Sequence, residues 1–196
     1  MNNDIVEYAT TLTDEEFNSK QRFYHVSEDK YEIGQDIVPN NYQEKLGEEQ
    51  KEIEEDLERY RIKKHPNKPQ RATALYAFVQ LSDAYHFLEK HGGYLYEVLV
   101  NKNDVSQNMK THVGDMAIIE LMKVLPECMR KTLIALYWNS DLLYKPCIEV
   151  LTDKLTVSDI VISDERKPKN RSENFHSYNL ENHKEYLKLL KRITNM

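Results

Sequence analysis

The chain has 196 residues, 40% of them apolar and 31% charged, with a formal net charge of −6. That length suits one domain with a sizeable core. The acidic balance argues against a general polyanion-binding surface, because non-specific nucleic-acid binding rests on neutralising phosphates.

Residues 1–20 read as a polar lead-in, with Thr13 placed to cap a short helix over Asp14-Glu15-Glu16-Phe17. Arg22-Phe23-Tyr24-His25-Val26-Ser27 is the first strand, an apolar-aromatic run with an imidazole in its middle. Lys30 to Pro39 reads as a short helical turn or loop closed by Gly34, with Ile37-Val38 briefly extended before the proline. Residues 42–64 predict a charged covering helix. Leu46, Ile53, Leu57 and Tyr60 form its one narrow packing stripe, and Glu55 and Arg59 have the i,i+4 spacing of an ion pair.

Two prolines make a loop of Lys64-His65-Pro66-Asn67-Lys68-Pro69-Gln70-Arg71, which is also a dense basic patch. Ala72 to Val79 reads as a strand. Leu81 to Lys90 reads as a helix capped by Ser82 and ended by His91-Gly92-Gly93. Tyr94 to Val100 completes a strand–helix–strand unit. Residues 101–114 are polar and loop-like. Asp115 caps a helix to about Leu125, and Pro126 opens another that runs to Trp138; both have wide apolar faces and are expected to be buried. After a loop over 139–146, Cys147 to Thr152 and Val157 to Ser163 read as strands. Residues 164–180 read as a basic loop, and Glu181 to Ile193 as a last amphipathic helix.

The two cysteines, Cys128 and Cys147, form no CxxC pair, and no His/Cys cluster has zinc spacing, so no metal is expected. Free thiols fit a reducing compartment. Met1-Asn2-Asn3-Asp4 lacks the basic and apolar regions of a signal peptide, and no apolar run approaches membrane-spanning length. The expectation is a cytoplasmic protein with no membrane partner.

Three polar side chains stand inside otherwise apolar strands: His25, Tyr76 and Glu149. Taken singly, His25 reads as a satisfied core histidine and Tyr76 as core packing. Glu149 is either an outward-facing strand residue, as alternation with Ile148 and Val150 allows, or a functional group, since glutamate is rarely buried without a partner. The set and its order along the chain carry the case for function.

Phe23-Tyr24-His25 followed by Ile33-Gly34-Gln35-Asp36-Ile37-Val38-Pro39 resembles the opening of the small rifamycin-type ADP-ribosyltransferases. Ala74-Leu75-Tyr76-Ala77-Phe78, Ser82-Asp83-Ala84-Tyr85-His86-Phe87 and Tyr94-Leu95-Tyr96-Glu97-Val98 are similar to the strand, helix and strand that follow in that family. Ile148-Glu149-Val150-Leu151 looks like the glutamate strand of ADP-ribosyltransferase toxins. The resemblance covers about residues 22–105 and 146–162. It implies an α+β, ADP-ribosyltransferase-like fold: a split, mixed β-sheet with flanking helices in a single domain over 1–196. The helix 42–64, the helical pair 115–138 and the segment 164–196 would be additions to the compact version.

The resemblance also implies NAD as cofactor. His25 would bond the adenosine-side ribose, Tyr76 would stack on nicotinamide, and Glu149 would bond the nicotinamide ribose 2′-hydroxyl. The Tyr24-His25-Val26-Ser27 strand would line the cofactor, and Arg71, or Lys64 and Lys68, would meet the pyrophosphate. In the rifamycin-type enzymes the acid follows the third strand, where this chain has Asp104, so the catalytic acid is Glu149 or Asp104. Only Gly92 and Gly93 are adjacent among five glycines, which disfavours a GxGxxG dinucleotide fold. Cys147 stands two residues before Glu149, so the Glu-x-Glu pattern of arginine-modifying transferases is absent.

Three readings follow. One is an NAD-dependent mono-ADP-ribosyltransferase acting on a protein, nucleic-acid or small-molecule acceptor, as a toxin or defence effector that would bring an antitoxin or immunity partner. Another is a catalytically inactive module that keeps the fold for binding. The last is a nucleic-acid-directed transferase using the basic loops around Lys64 and Arg166-Lys167-Pro168-Lys169-Asn170-Arg171.

Overall fold

A computed structural model describes residues 10–11, 22–39, 47–100, 110–143 and 146–167. The expected helices near Thr13 and over Glu181 to Ile193, the start of the 42–64 helix and Asp104 lie outside the described residues.

The described residues form an α+β fold. Its strands are β1 (Thr10–Thr11), β2 (Phe23–Ser27), β3 (Asp36–Ile37), β4 (Leu75–Phe78), β5 (Gly93–Leu99), β6 (Thr111–Asp115), β7 (Asp141–Leu142), β8 (Ile148–Thr152) and β9 (Leu155–Arg166). Its helices are α1 (Glu48–Lys64), α2 (Leu81–His91), α3 (Met116–Val124) and α4 (Glu127–Trp138). Seven strands form one sheet in the order β3-β9-β5-β2-β4-β8-β6, and β1 pairs with β7 apart from it. Every described pairing is antiparallel, where a split, mixed sheet was expected. The strand–helix–strand unit is present as β4-α2-β5. However, β2 inserts between its strands, so β4 and β5 run parallel without touching.

Two expectations are corrected toward the ends of the sheet, at β6 and at β9. Residues 111–115 are a strand and not part of a loop, because Thr111 to Asp115 pair in full with Thr152 to Ile148. The last strand begins at Leu155 and reaches Arg166, into the expected loop; its first residues pair with β3 and its length with β5. Closer to the centre, Arg71–Thr73 is a 3-10 turn, so β4 starts only at Leu75. The cap of α2 is Gln80, with no side-chain bond from Ser82. Arg59 pairs with Asp56 in place of Glu55, at 2.7 Å. Asp115 caps α3 as its position predicts, accepting from the Ala117 N–H at 2.9 Å.

Burial separates three clusters. Residues of the strands and of the segments that flank them fill the inner face of the curled sheet: Phe23, Ala77, Tyr96, Val98, Val150 and Val157 among them. On the other face α2 lays Ala84 and Leu88 over Phe78 and Leu95. Beside it α1, α3 and α4 bury Ile53, Leu57, Ile118, Leu133 and Trp138 together. Ile53 and Leu57 are fully buried, as the stripe predicts, and Trp138 Nε1 donates to the Leu57 carbonyl at 3.0 Å. Gly93 lets β2 and β5 close up: its φ is +100°, and a Cβ there would meet the Ser27 carbonyl oxygen at 2.3 Å. No helix among the described residues is long and apolar enough to cross a membrane.

Candidate functional site

β8 lies between β4 and β6, and all five of its residues are buried. Glu149 stands opposite Phe78 on one neighbour and Gly114 on the other. Directly opposed residues share a face and the pattern repeats every second residue. Glu149 and Tyr76 are therefore on one face, the face that carries the helices. At 2% exposure Glu149 does not point outward, so the solvated-strand reading fails and the partnered one holds.

Its partner is Arg71. The guanidinium Nη1 donates to Glu149 Oε1 at 2.7 Å, and Nε and Nη2 donate to the two carboxylate oxygens of Glu54 on α1 at 2.9 and 3.2 Å. Tyr137 on α4 accepts from Arg71 Nη1 and donates to Glu149 Oε1 at 2.8 Å. Tyr76 donates its hydroxyl proton to the Arg71 carbonyl at 2.6 Å. The guanidinium carbon also lies 5.2 Å from the Tyr76 ring centre and 4.9 Å from that of Tyr137, within cation–π range of both rings. Burial alone would lower the Arg71 pKa; the carboxylate of Glu54, with Tyr137, Tyr76 and Glu149, outweighs it and holds the group well above its ordinary value. Burial drives the Tyr137 phenol well up, so it is a donor, not a phenolate.

Gly114 makes the arrangement fit. A Cβ on it would come within 2.5 Å of the Tyr137 ring. A glycine inside a strand marks such a close approach. Beyond it on the same strand and face, His112 packs between the Trp138 ring at 4.7 Å and the Tyr137 ring at 5.1 Å. Lys68 donates to the Trp138 carbonyl at the C-terminal end of α4, and burial lowers its pKa to about 8.

His25 is placed elsewhere. Tyr24 opposes Phe78, and His25 opposes Tyr96. His25 therefore shares the inner face with Tyr96, away from Tyr76 and Glu149. Its Nδ1–H donates to the Tyr76 carbonyl at 2.6 Å, which fixes the tautomer and leaves Nε2 as an acceptor. Burial lowers its pKa, partly offset by that carbonyl. Of the predicted cofactor strand, Tyr24 and Val26 pack toward α2, and Ser27 Oγ accepts from the Asp29 N–H at 3.1 Å.

The structure thus brings Tyr76, Arg71 and Glu149 together and leaves His25 behind the sheet. Arg71 grips two carboxylates here, where a pyrophosphate contact was expected. Sequence reasoning missed Glu54, Tyr137, Gly114 and His112. Gly114 and His112 were hidden by the loop reading of 101–114. Glu54 and Tyr137 sat on helices read only for packing. Among the described residues no group of three or more His, Cys, Asp or Glu side chains is arranged to hold a metal ion. Compared by sequence with protein-family models and with curated proteins, the chain matches none of them.

Proposed function

We propose that the chain is an NAD-dependent mono-ADP-ribosyltransferase, with Glu149 as the acid that stabilises the reacting ribose. One observation carries the reading. Tyr76 and Glu149 share a face on neighbouring central strands and are joined through Arg71, beside the Phe23-Tyr24-His25 strand of the family resemblance. In this reading the bond between nicotinamide and ribose C1′ breaks, and nicotinamide leaves with the electron pair. Glu149 bonds the 2′-hydroxyl and faces the positive charge that develops at C1′. The acceptor nucleophile then bonds C1′ and releases its proton to solvent; with water as acceptor the result is NAD hydrolysis. Tyr76 supplies an aromatic face for nicotinamide. His25, behind the sheet, acts by holding the Tyr76 backbone, and so is a positioning residue. Glu54 and Tyr137 cover Arg71 and Glu149, so the α1 and α4 cover yields when NAD enters.

A second reading is a fold that has kept its architecture for binding and lost catalysis. The near-complete burial of Glu149 and its pairing with Arg71 favour it. Nicotinamide release from NAD separates the two. Transfer predicts release by the wild type and its loss in Glu149→Gln. An inert module predicts no release by either, and partner binding that Glu149→Gln leaves intact. A toxin or defence-effector role adds growth inhibition on expression that the same substitution relieves.

A further inference from the structure

His112 is 3% exposed, yet neither ring nitrogen makes a hydrogen bond. Buried polar groups are partnered as a rule, and each exception needs a reason. The Tyr137 carbonyl lies near the ring but outside hydrogen-bond geometry. The ring is held by aromatic contact alone, tilted 31° to Trp138 and 73° to Tyr137, on an edge strand whose partner is β8. The charged groups facing it are of one sign. Lys68 and His65 come from the loop after α1 and Arg71 from the 3-10 turn, and all three disfavour a charged imidazole. Of the acids of the neighbourhood, Glu54 and Glu149 are already engaged by Arg71, and Asp141 on β7, the short strand beside β6, acts on Lys68.

We propose that His112 is a proton switch: when its ring takes up a proton, the Tyr137–Trp138 end of α4 separates from β6 and the cover over Arg71 and Glu149 loosens. An imidazolium needs two acceptors or water. This cage offers carbon faces, cations and one backbone carbonyl, that of Tyr137, which offsets part of the cost without hydrogen-bond geometry. The Trp138 face attracts a cation but offsets only part of the desolvation. Separation brings water to the ring and removes the cost. The same movement draws Tyr137 off Glu149, because Tyr137 and Trp138 are adjacent on α4. Burial, then Lys68, Arg71 and His65, lower the His112 pKa well below its ordinary value. The folded state therefore binds fewer protons than the unfolded chain below about pH 6.5. Stability from this group is present above that pH and lost as pH falls toward the depressed value. The switch needs no NAD turnover to operate.

Trp138 is the chain's single tryptophan and reports on this contact directly. Its emission and the far-ultraviolet circular dichroism would be followed from about pH 8 to about pH 4 in the wild type and in His112→Phe, which keeps an aromatic ring in the cage. The expected result is a reversible red shift below about pH 6.5 with helical signal retained, lost in His112→Phe or displaced by about one pH unit or more. The proposal is overturned by no shift in the wild type, by an equal shift in the variant, or by a shift that comes only with loss of helical signal. Should His112→Phe fail to fold, the His112 ring protons in wild-type magnetic resonance spectra decide. They are expected to titrate with the midpoint of the Trp138 shift, and protonation with Trp138 unmoved overturns the switch. Burial lowers the His25 pKa as well, but His25 lies on the other sheet face, and its titration is expected to leave Trp138 emission unchanged.

Discussion

Removing the Arg71 guanidinium would leave Glu54 and Glu149 buried on the same side of the sheet. Tyr137 would remain as the described donor to Glu149. Breaking a buried ion pair from one side costs about 3–5 kcal/mol, because the charge left behind has lost both water and partner. Arg71→Leu is expected to lower unfolding free energy by about that amount in urea titrations, with Glu149→Gln costing less because glutamine still accepts from Arg71 and Tyr137. Gly114 offers a steric counterpart. The Cβ of Gly114→Ala would overlap a rigid ring at 2.5 Å, held by its bond to Glu149. Overpacking of this kind costs about 1–3 kcal/mol. Tyr137→Leu, which removes the ring, is expected to lessen the penalty in a double-mutant cycle.

Asp115 ties the end of β6 to α3 and to the two segments before β8. Its carboxylate accepts from the N–H groups of Ala117, Leu143 and Cys147, each at 2.9 Å. Asp115→Ala would orphan three donors, and is expected to cost about 3 kcal/mol or more at neutral pH. Burial raises this carboxyl from 3.8 to about 6, against the pull of those three hydrogen bonds. Its titration thus favours the folded state fully below 3.8, and that contribution is lost as pH rises through about 6. The deficit of Asp115→Ala should widen toward acid pH by roughly two units at about 1.4 kcal/mol each, so about 3 kcal/mol. Denaturation at neutral and acid pH measures this; an unchanged gap would mean the carboxyl titrates normally. The sign is opposite to that of His112, whose protonation works against the fold. The pairing of β6 was not legible, because Thr-His-Val-Gly-Asp has no apolar alternation and its strand conformation depends on β8. α3 and α4 were legible, their apolar faces being wide and their starts marked by Asp115 and Pro126.

Over the whole molecule, the α+β class and the central strands could be read locally, since β2, β4, β5 and β8 are apolar runs bounded by turn residues. The face each polar residue occupies could not. His25 and Tyr76 are separated by the register between β2 and β4, a long-range property fixed at Tyr24 opposite Phe78. Glu149 has a similar history: alternation allowed an outward side chain, and only the helices packed on both of its neighbours bury it. The same packing produces the cluster around Arg71, assembled from α1, the 3-10 turn and β4, α4 and β8. NAD turnover is the most direct test of the function proposed for that assembly. Purified protein would be incubated with NAD and free nicotinamide quantified, for the wild type and for Glu149→Gln shown by circular dichroism to be folded. The NAD reading predicts release by the wild type and a fall of about 100-fold or more in the variant, the scale seen when a group stabilising transition-state charge is removed. No release by the wild type, or equal release by a folded Glu149→Gln, would contradict it.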